Sequence, residues 1–315
     1  MKKALVTGGA GFIGSHLVDR LISDYHVVVL DDLSAGLLEN LEQHKGEEGY
    51  TFIHGSINKE EDVERALDDV DIVFHFAAQP DVKLSVERPL FDFEINVVGS
   101  MLLLNRMKEN GIKKIIFASS GGTVYGDTDI MPTPESTAFK PISNYGAAKG
   151  AFEMYLSSFA ELYDMDAASM RLGNILGPRL THGVVYDFYM KLKRNPMKLE
   201  ILGNGLQEKT YLDIEDTINA CMTVSNSLPR GFTPINVSSE STIQVKRIAE
   251  VIIDELQVQD VSIEYTGERR GWAGDVIKTS LSVSLLKSYG WTPKYTIEES
   301  IRKMVRWLVQ KFGPI

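Results

Sequence analysis

The chain has 315 residues, more than a single hydrophobic core usually organises, so two lobes are expected. Its apolar share of 43% suits a soluble globular protein, and a formal net charge of −10 without a long basic run argues against a nucleic-acid partner. Cys221 is the only cysteine, which excludes an internal disulfide and fits a reducing cytoplasm. Met1-Lys2-Lys3 resembles the start of a secretion signal, but the apolar run that follows breaks at the glycines after four residues. No stretch is long and apolar enough to span a membrane, so none is expected as a partner.

Residues 4–6 read as a buried strand leading into Gly8-Gly9-Ala10-Gly11-Phe12-Ile13-Gly14. Beyond it, Phe12, Ile13, Leu17, Leu21 and Ile22 recur at helical spacing. The glycines therefore sit where a strand turns into a helix, whose first N–H groups can face a phosphate. Two spellings fit: Gly9, Gly11 and Gly14 give GxGxxG, and Gly8, Gly11 and Gly14 give GxxGxxG. A second buried-strand run at 26–30 ends in Asp31-Asp32, where a carboxylate can accept both ribose hydroxyls of a dinucleotide. Asp31 would repel a phosphorylated ribose, so the expected cofactor is NAD rather than NADP.

The alternation continues. Residues 51–54 read as a short strand, 59–67 as a polar helix, 71–76 as a strong buried strand and 92–108 as a helix. Strand 113–118, a long helix at 145–163 and strand 167–171 follow. This order predicts an α/β fold, a Rossmann-type doubly wound parallel sheet, over residues 1–172. The less regular remainder, 173–315, is expected to form a smaller α/β lobe for substrate, with an approximate and interleaved boundary. Ligands on such sheets bind at the carboxyl ends of the strands, here the loops 77–89, 119–141 and 173 onward.

Tyr145 and Lys149 lie four apart on the long predicted helix and share a face. An ammonium beside a phenol favours the phenolate, which makes Tyr145 a candidate general base and Lys149 its activator. Tyr189 and Lys193 repeat the spacing, but only Tyr145 follows a strand-end loop, Ser119-Ser120-Gly121-Gly122-Thr123-Val124-Tyr125-Gly126. Tyr189 is read as an ordinary packing residue.

The glycine signature, the SSGGTVYG loop, the Tyr-Lys pair and Arg171-Leu172-Gly173-Asn174 together resemble the extended short-chain dehydrogenase/reductases. Within them the chain is most similar to the nucleotide-sugar epimerases of the UDP-glucose (UDP-galactose) 4-epimerase type, over about residues 3–307. The resemblance implies a phosphate loop of Gly8, Gly11, Phe12, Ile13 and Gly14, with Asp31 on the adenosine ribose and Ser34 to Gly36 closing over it. It further implies cofactor contacts at Ser56, Ile57, Phe76, Ala77, Ala78, Asn96, Tyr145 and Lys149. Thr123, Asn174, Lys209, Arg270 and Asp275 would touch the nucleotide-sugar substrate, helped by second-lobe segments 203–207 and 271–275. No metal is expected.

Four positions depart from the family pattern. Gly55-Ser56 replaces a Gly-Asp on the adenine side. Gly121 stands where a catalytic Ser or Thr is usual, leaving Ser120, Thr123 or water to relay a proton. Lys209 replaces an arginine, a point charge in place of a fork. Trp272 takes the place of another arginine, with Arg270 the candidate for a shifted phosphate contact. Related 4,6-dehydratases carry an Asp-Glu pair where Gly122-Thr123 stand, so the resemblance favours interconversion of UDP-glucose and UDP-galactose through a 4-keto sugar. Another epimerase, dehydrogenase or reductase of the same superfamily is the alternative, and a non-catalytic NAD sensor a more distant one. The resemblance also implies a homodimer through the helices at 92–108 and 145–163.

Overall fold

The computed structural model describes residues 1–267 and 278–315, which divide into two compact units. Unit 1 comprises Met1–Gly126, Ala138–Leu172 and Ile218–Ile235; unit 2 comprises Asp127–Thr137, Gly173–Thr217 and Asn236–Ile315.

In unit 1, β1 (Lys2–Thr7) passes into α1 (Phe12–Leu21), then β2 (Tyr25–Asp31), β3 (Tyr50–His54), α2 (Glu60–Ala66) and β4 (Ile72–His75). Helices α3 (Val82–Glu87) and α4 (Pro89–Phe93) follow, then a π-helical turn at Glu94–Gly99 and α5 (Ser100–Glu109). Next come β5 (Lys114–Ser120), the short α6 (Gly121–Val124), α7 (Asn144–Tyr163) and β6 (Asp166–Leu172). The strand Phe232–Val237 completes a seven-stranded sheet in the order Phe232–Val237, β6, β5, β4, β1, β2, β3. β1 to β6 pair in parallel throughout.

Central parallel strands are covered on both faces, which is why β1, β4 and β5 read as unbroken apolar runs rather than alternating ones. Val28, Val73, Ile115 and Phe117 of the strands meet Leu103, Phe152 and Leu156 of the helices in one buried cluster. The strand order reverses direction between β1 and β4, and the crevice at their carboxyl ends is the place such a sheet offers a ligand.

The expected helix at 92–108 is three consecutive segments, and α3 and α6 lie in stretches expected to be loop. Apolar spacing carries through 92–108 because the side chains keep facing the sheet while the backbone bonding widens at Glu94–Gly99.

Among the described residues, unit 2 contains three two-stranded sheets: Asn174–Leu176 with Tyr211–Asp213, Lys198–Ile201 with Ser262–Tyr265, and Glu208–Lys209 with Ile243–Gln244. The helix Ile297–Phe312 starts at a reciprocal cap between Thr296 and Glu299, and buries Ile301, Met304, Val305 and Leu308. Tyr189 is buried in this unit and its hydroxyl donates to the Gly313 carbonyl, while Lys193 donates to Phe312 and Gly313. That pair is packing, as its sequence context suggested. Among the described residues, no helix is long and apolar enough to cross a membrane.

Candidate active site

The phosphate loop is shaped by what a side chain would strike. Gly8 has φ +69°, and a Cβ there would lie 2.6 Å from the Ala77 nitrogen. A Cβ on Gly14 would run into the Gly8 carbonyl oxygen. The glycines thus let β1, the loop after β4 and the start of α1 close on one another. Gly11 is the N-cap of α1, and no side chain caps that end. The first-turn N–H groups, those of Phe12 and Ile13 among them, belong to a helix terminus suited to a diphosphate.

Asp31 ends β2 and is buried. One carboxylate oxygen accepts the Ala10 N–H and the other the Leu33 N–H, both at 2.8 Å. These bonds fix the carboxylate while leaving acceptor capacity for two ribose hydroxyls. Burial pushes its acid strength down, raising the pKa against the pull of the two amides. Gly36 lies against Ala10 and Asp31, and Ser34 is exposed beside them, its N–H on Asp32. Ser56 donates its N–H to Asp62 at 3.0 Å, so a carboxylate supports this turn even though Ser replaces Asp; Ile57 is buried next to it. Phe76 and Ala77 donate their N–H groups to the Thr7 carbonyl and hydroxyl, zipping the loop after β4 to the end of β1; Ala78 is half-buried just beyond. The glycine cradle, the uncapped helix end and the anchored acid fit a dinucleotide.

Asn96 lies in the π-helical turn and is buried with its amide fully engaged. Its Oδ1 accepts the Gln79 N–H at 2.9 Å, and its Nδ2 donates to the Gln79 carbonyl at 3.1 Å and to Asp92 at 2.9 Å. It ties the π-helical turn to the loop after β4 through Gln79.

The catalytic candidates come from β5, α6 and α7. Ser143 caps α7 by accepting the Gly146 N–H, which fixes Tyr145 in the first turn. The Tyr145 N–H donates to the buried hydroxyl of Ser85 on α3 at 3.1 Å, and Asn144 donates to the Ser85 carbonyl at 2.9 Å. Lys149 is buried; its Nζ donates to the Ala118 carbonyl at 2.9 Å and lies 5.6 Å from the Tyr145 ring centre. Ser120 ends β5 and Thr123 sits on α6, both half-buried, with the Thr123 hydroxyl 3.5 Å from the Ser120 carbonyl.

The electrostatics differ from the sequence expectation. Burial, reinforced by the negative charge of Asp92, holds the Tyr145 phenol above its ordinary value of about 10. Burial brings Lys149 down to about 8, opposed by Asp92 and Glu153. The lysine is thus bonded to the strand, and the negative charges of Asp92 and Glu153 offset part of its burial.

Two buried polar residues, Glu153 and His75, escaped the motif reading. Glu153, one turn beyond Lys149, accepts from Arg171 Nε at 3.0 Å and Nη2 at 2.8 Å, and from the Ser119 hydroxyl. Arg171 also donates to the Tyr125 hydroxyl at 2.7 Å. His75 bridges Thr7 at 2.7 Å and Ser100 at 2.9 Å inside the core, where burial pushes its pKa down to about 3. A polar residue inside an apolar strand, or on the buried stripe of a helix, was the available signal.

In unit 2, Asn174 donates to the Thr210 carbonyl at 3.0 Å, and Lys209 sits half-buried in the short strand Glu208–Lys209. Gln207 is buried with its Oε1 left without a hydrogen-bond partner. Arg270, Asp275 and the 271–275 segment lie outside the described residues.

Residues 4–237 match the NAD dependent epimerase/dehydratase family. A putative UDP-glucose 4-epimerase of Methanocaldococcus jannaschii is 34% identical over 310 residues, spanning 96% of this chain and 97% of the relative. The crystal structure of UDP-glucose 4-epimerase with UDP-glucose from Thermotoga maritima superposes with a TM-score of 0.89 at 35% identity, covering 98% of this chain and 99% of that one. A dTDP-D-glucose 4,6-dehydratase of Mus musculus is 32% identical over 324 residues, covering 99% and 90%. With its sheet order, phosphate loop and Tyr-Lys helix, the chain belongs to the NAD dependent epimerase/dehydratase family.

Proposed function

We propose that the chain is an isomerase, a nucleotide-sugar 4-epimerase that interconverts UDP-glucose and UDP-galactose through a 4-keto sugar. The observation that carries this reading is Tyr145 held by Ser85 and Ser143 at the carboxyl edge of the sheet, with Lys149 one turn behind and the uncapped phosphate loop on the same unit. Gly8, Gly11, Phe12, Ile13 and Gly14 would hold the diphosphate of NAD, Asp31 its adenosine ribose, and Lys149 the ribose nearer the reaction. When bound, NAD supplies a hydride acceptor that returns the hydride, and a positive charge that eases ionisation of a nearby phenol.

Tyr145 takes the proton of the sugar C4 hydroxyl and gives it back to the C4 oxygen once the opposite face of the ketone has been reduced. Its phenol starts above the ordinary value, so Lys149 must stay charged for the phenolate to form. Ser120 or Thr123 orients the sugar, since Gly121 offers no hydroxyl. Asn174 and Lys209 are the unit 2 candidates for the substrate diphosphate. Dehydratase relatives make elimination the competing reading; Gly122 and Thr123 supply no acid–base pair for it.

The exposed Leu90, Phe93, Val98, Met154 and Leu162 lie on α4, the π-helical turn and α7, and favour a homodimer in which a second copy covers them. Purified protein given UDP-galactose without added NAD is expected to form UDP-glucose. Tyr145→Phe with undiminished turnover would refute the assignment.

A further inference from the structure

His75 ends β4, the strand that pairs with β1 where the sheet order reverses. Its ring stacks along Phe117 and stands edge-on to Phe152, each at 5.5 Å between centres, so packing fixes its plane. Nδ1 lies 2.7 Å from the Thr7 hydroxyl oxygen, and Nε2 lies 2.9 Å from that of Ser100. Thr7 is the last residue of β1, directly before Gly8, and Ser100 opens α5. All three side chains are buried, so no water is at hand to replace a missing partner.

The two ends of this row of groups decide where its protons lie. At one end the Ala77 N–H donates to the Thr7 hydroxyl at 3.2 Å. At the other the Ser100 hydroxyl meets the Asn96 carbonyl at 2.9 Å, and a carbonyl can only accept. Ser100 commits its single proton there, so His75 Nε2 must carry a proton and donate it to Ser100. A neutral imidazole then has a bare Nδ1, which takes the Thr7 proton. The ring does stay neutral: burial first, and the Lys149 charge second, push its pKa down to about 3. All four bonds thus run in one direction, from Ala77 through Thr7, His75 and Ser100 to Asn96.

The backbone segments joined in this way surround the cofactor crevice. A Cβ on Gly8 would lie 2.6 Å from the Ala77 nitrogen, so the phosphate loop and the loop after β4 are already in close contact there. Asn96 holds that same loop again, through two bonds to the Gln79 backbone. Without a bare nitrogen to receive its proton, the Thr7 hydroxyl would have to turn toward another acceptor, and its bond from Ala77 would be disturbed.

We propose that His75 is a positioning residue for NAD: locked as the Nε2–H tautomer, it orients the Thr7 hydroxyl that fastens Ala77 to the end of β1, and so sets the gap between the phosphate loop and the loop after β4. NAD binding at this crevice, and not the identity of the base, is what this requires.

Two measurements on the full-length protein test it. Histidine-selective ¹⁵N spectra of the parent protein at neutral pH, with and without NAD, are expected to show His75 with a bare Nδ1 and a protonated Nε2. The chain has six histidines, so the signal is assigned by its loss in His75→Leu. A protonated Nδ1 would overturn the proposal. In fluorescence titration with NAD, Thr7→Val is expected to raise Kd by about tenfold, because a buried N–H and a buried ring nitrogen both lose their partner. Thr7→Ser, which keeps the hydroxyl, is expected to stay within about threefold of the parent. Thr7→Val/His75→Leu should lose no more affinity than the worse single variant, since the two side chains act through one row of bonds. A hydroxyl with only a structural role would lower the unfolding temperature of Thr7→Val and leave its Kd unchanged; that result, or an equal loss in Thr7→Ser, would overturn the proposal. Should Thr7→Val not fold, Ser100→Ala is expected to raise Kd in the same direction, and a parent-like value there would overturn it equally. A protein that follows this pattern with NAD yet leaves UDP-galactose unchanged would refute the proposed reaction and leave the role of His75 standing.

Discussion

Gly146 directly follows Tyr145, the proposed base, and its missing side chain sets how close α7 comes to α6. A Cβ at this position would lie 2.5 Å from the Thr123 carbonyl oxygen and 3.0 Å from the Thr123 Cβ. Ordinary contact begins at 3.4 Å, so Gly146→Ala must part the two segments by about 0.9 Å, and the nearer obstacle is backbone. Overpacking of this kind costs about 1–3 kcal/mol of stability. The larger effect falls on chemistry, because a misplacement of about 1 Å can cost on the order of a hundredfold in rate. Gly146→Ala is therefore expected to lower kcat by roughly ten- to a hundredfold while remaining folded. Gly122→Ala is the matched control: it lies on α6 beside Thr123, its Cβ would meet open space, and alanine suits a helical backbone. UDP-galactose turnover with thermal unfolding of both variants is the assay. Parent-like kcat in Gly146→Ala would show that the spacing of Thr123 and Tyr145 does not govern the reaction.

Three further outcomes are expected. Asp31→Asn should weaken NAD binding by roughly tenfold or more and narrow the preference over NADP, because charge-assisted bonds to the ribose are lost; fluorescence titration with both dinucleotides measures it. Glu153→Leu should destabilise by about 3–5 kcal/mol in urea unfolding by stranding Arg171, and Glu153→Leu/Arg171→Met should recover most of that; a double variant no better than the single one would sink the ion-pair account. His75 is neutral in the folded protein down to about pH 3, whereas in the unfolded chain it takes up a proton below about 6.5. The unfolded state then binds more protons, so stability contributed by His75 is lost as pH falls from about 6.5 toward 3, by about 1.4 kcal/mol per unit. His75→Gln should flatten that slope by one proton's worth, read by unfolding at successive pH values.

The parallel sheet was legible because a strand buried on both faces carries a continuous apolar run, and the centres of β1, β2, β4 and β5 do. The tight turn after β1 was legible because glycines at that spacing have a steric reason: a Cβ on Gly8 or Gly14 would strike backbone. The break at Glu94–Gly99 was not, since widening the backbone ladder leaves the apolar spacing of 92–108 readable as one helix. Nor was the placing of Phe232–Val237 beside β6, a pairing across some sixty residues of chain that no local pattern encodes. Asp92 and Asn96, four apart, could have been marked as a polar pair on a buried helix face. Their partner Gln79, on a distant loop, could not. The sign of the Tyr145 shift was missed because its larger cause is burial, which only the packed site decides, and its smaller one, Asp92, belongs to another element.

Two neighbouring residues at the tip of β5 are fastened by side chains one turn apart on α7, Ala118 by Lys149 and Ser119 by Glu153. The fastening behaves like a two-pin plug. Sliding α7 by one residue would swing its side chains by about 100° and pull both pins at once, leaving an ammonium and a carboxylate loose in an oily interior. Helix and strand are thereby keyed in a single register, and whatever the proposed reaction must rotate to expose the second face of a flat ketone, it is not this joint.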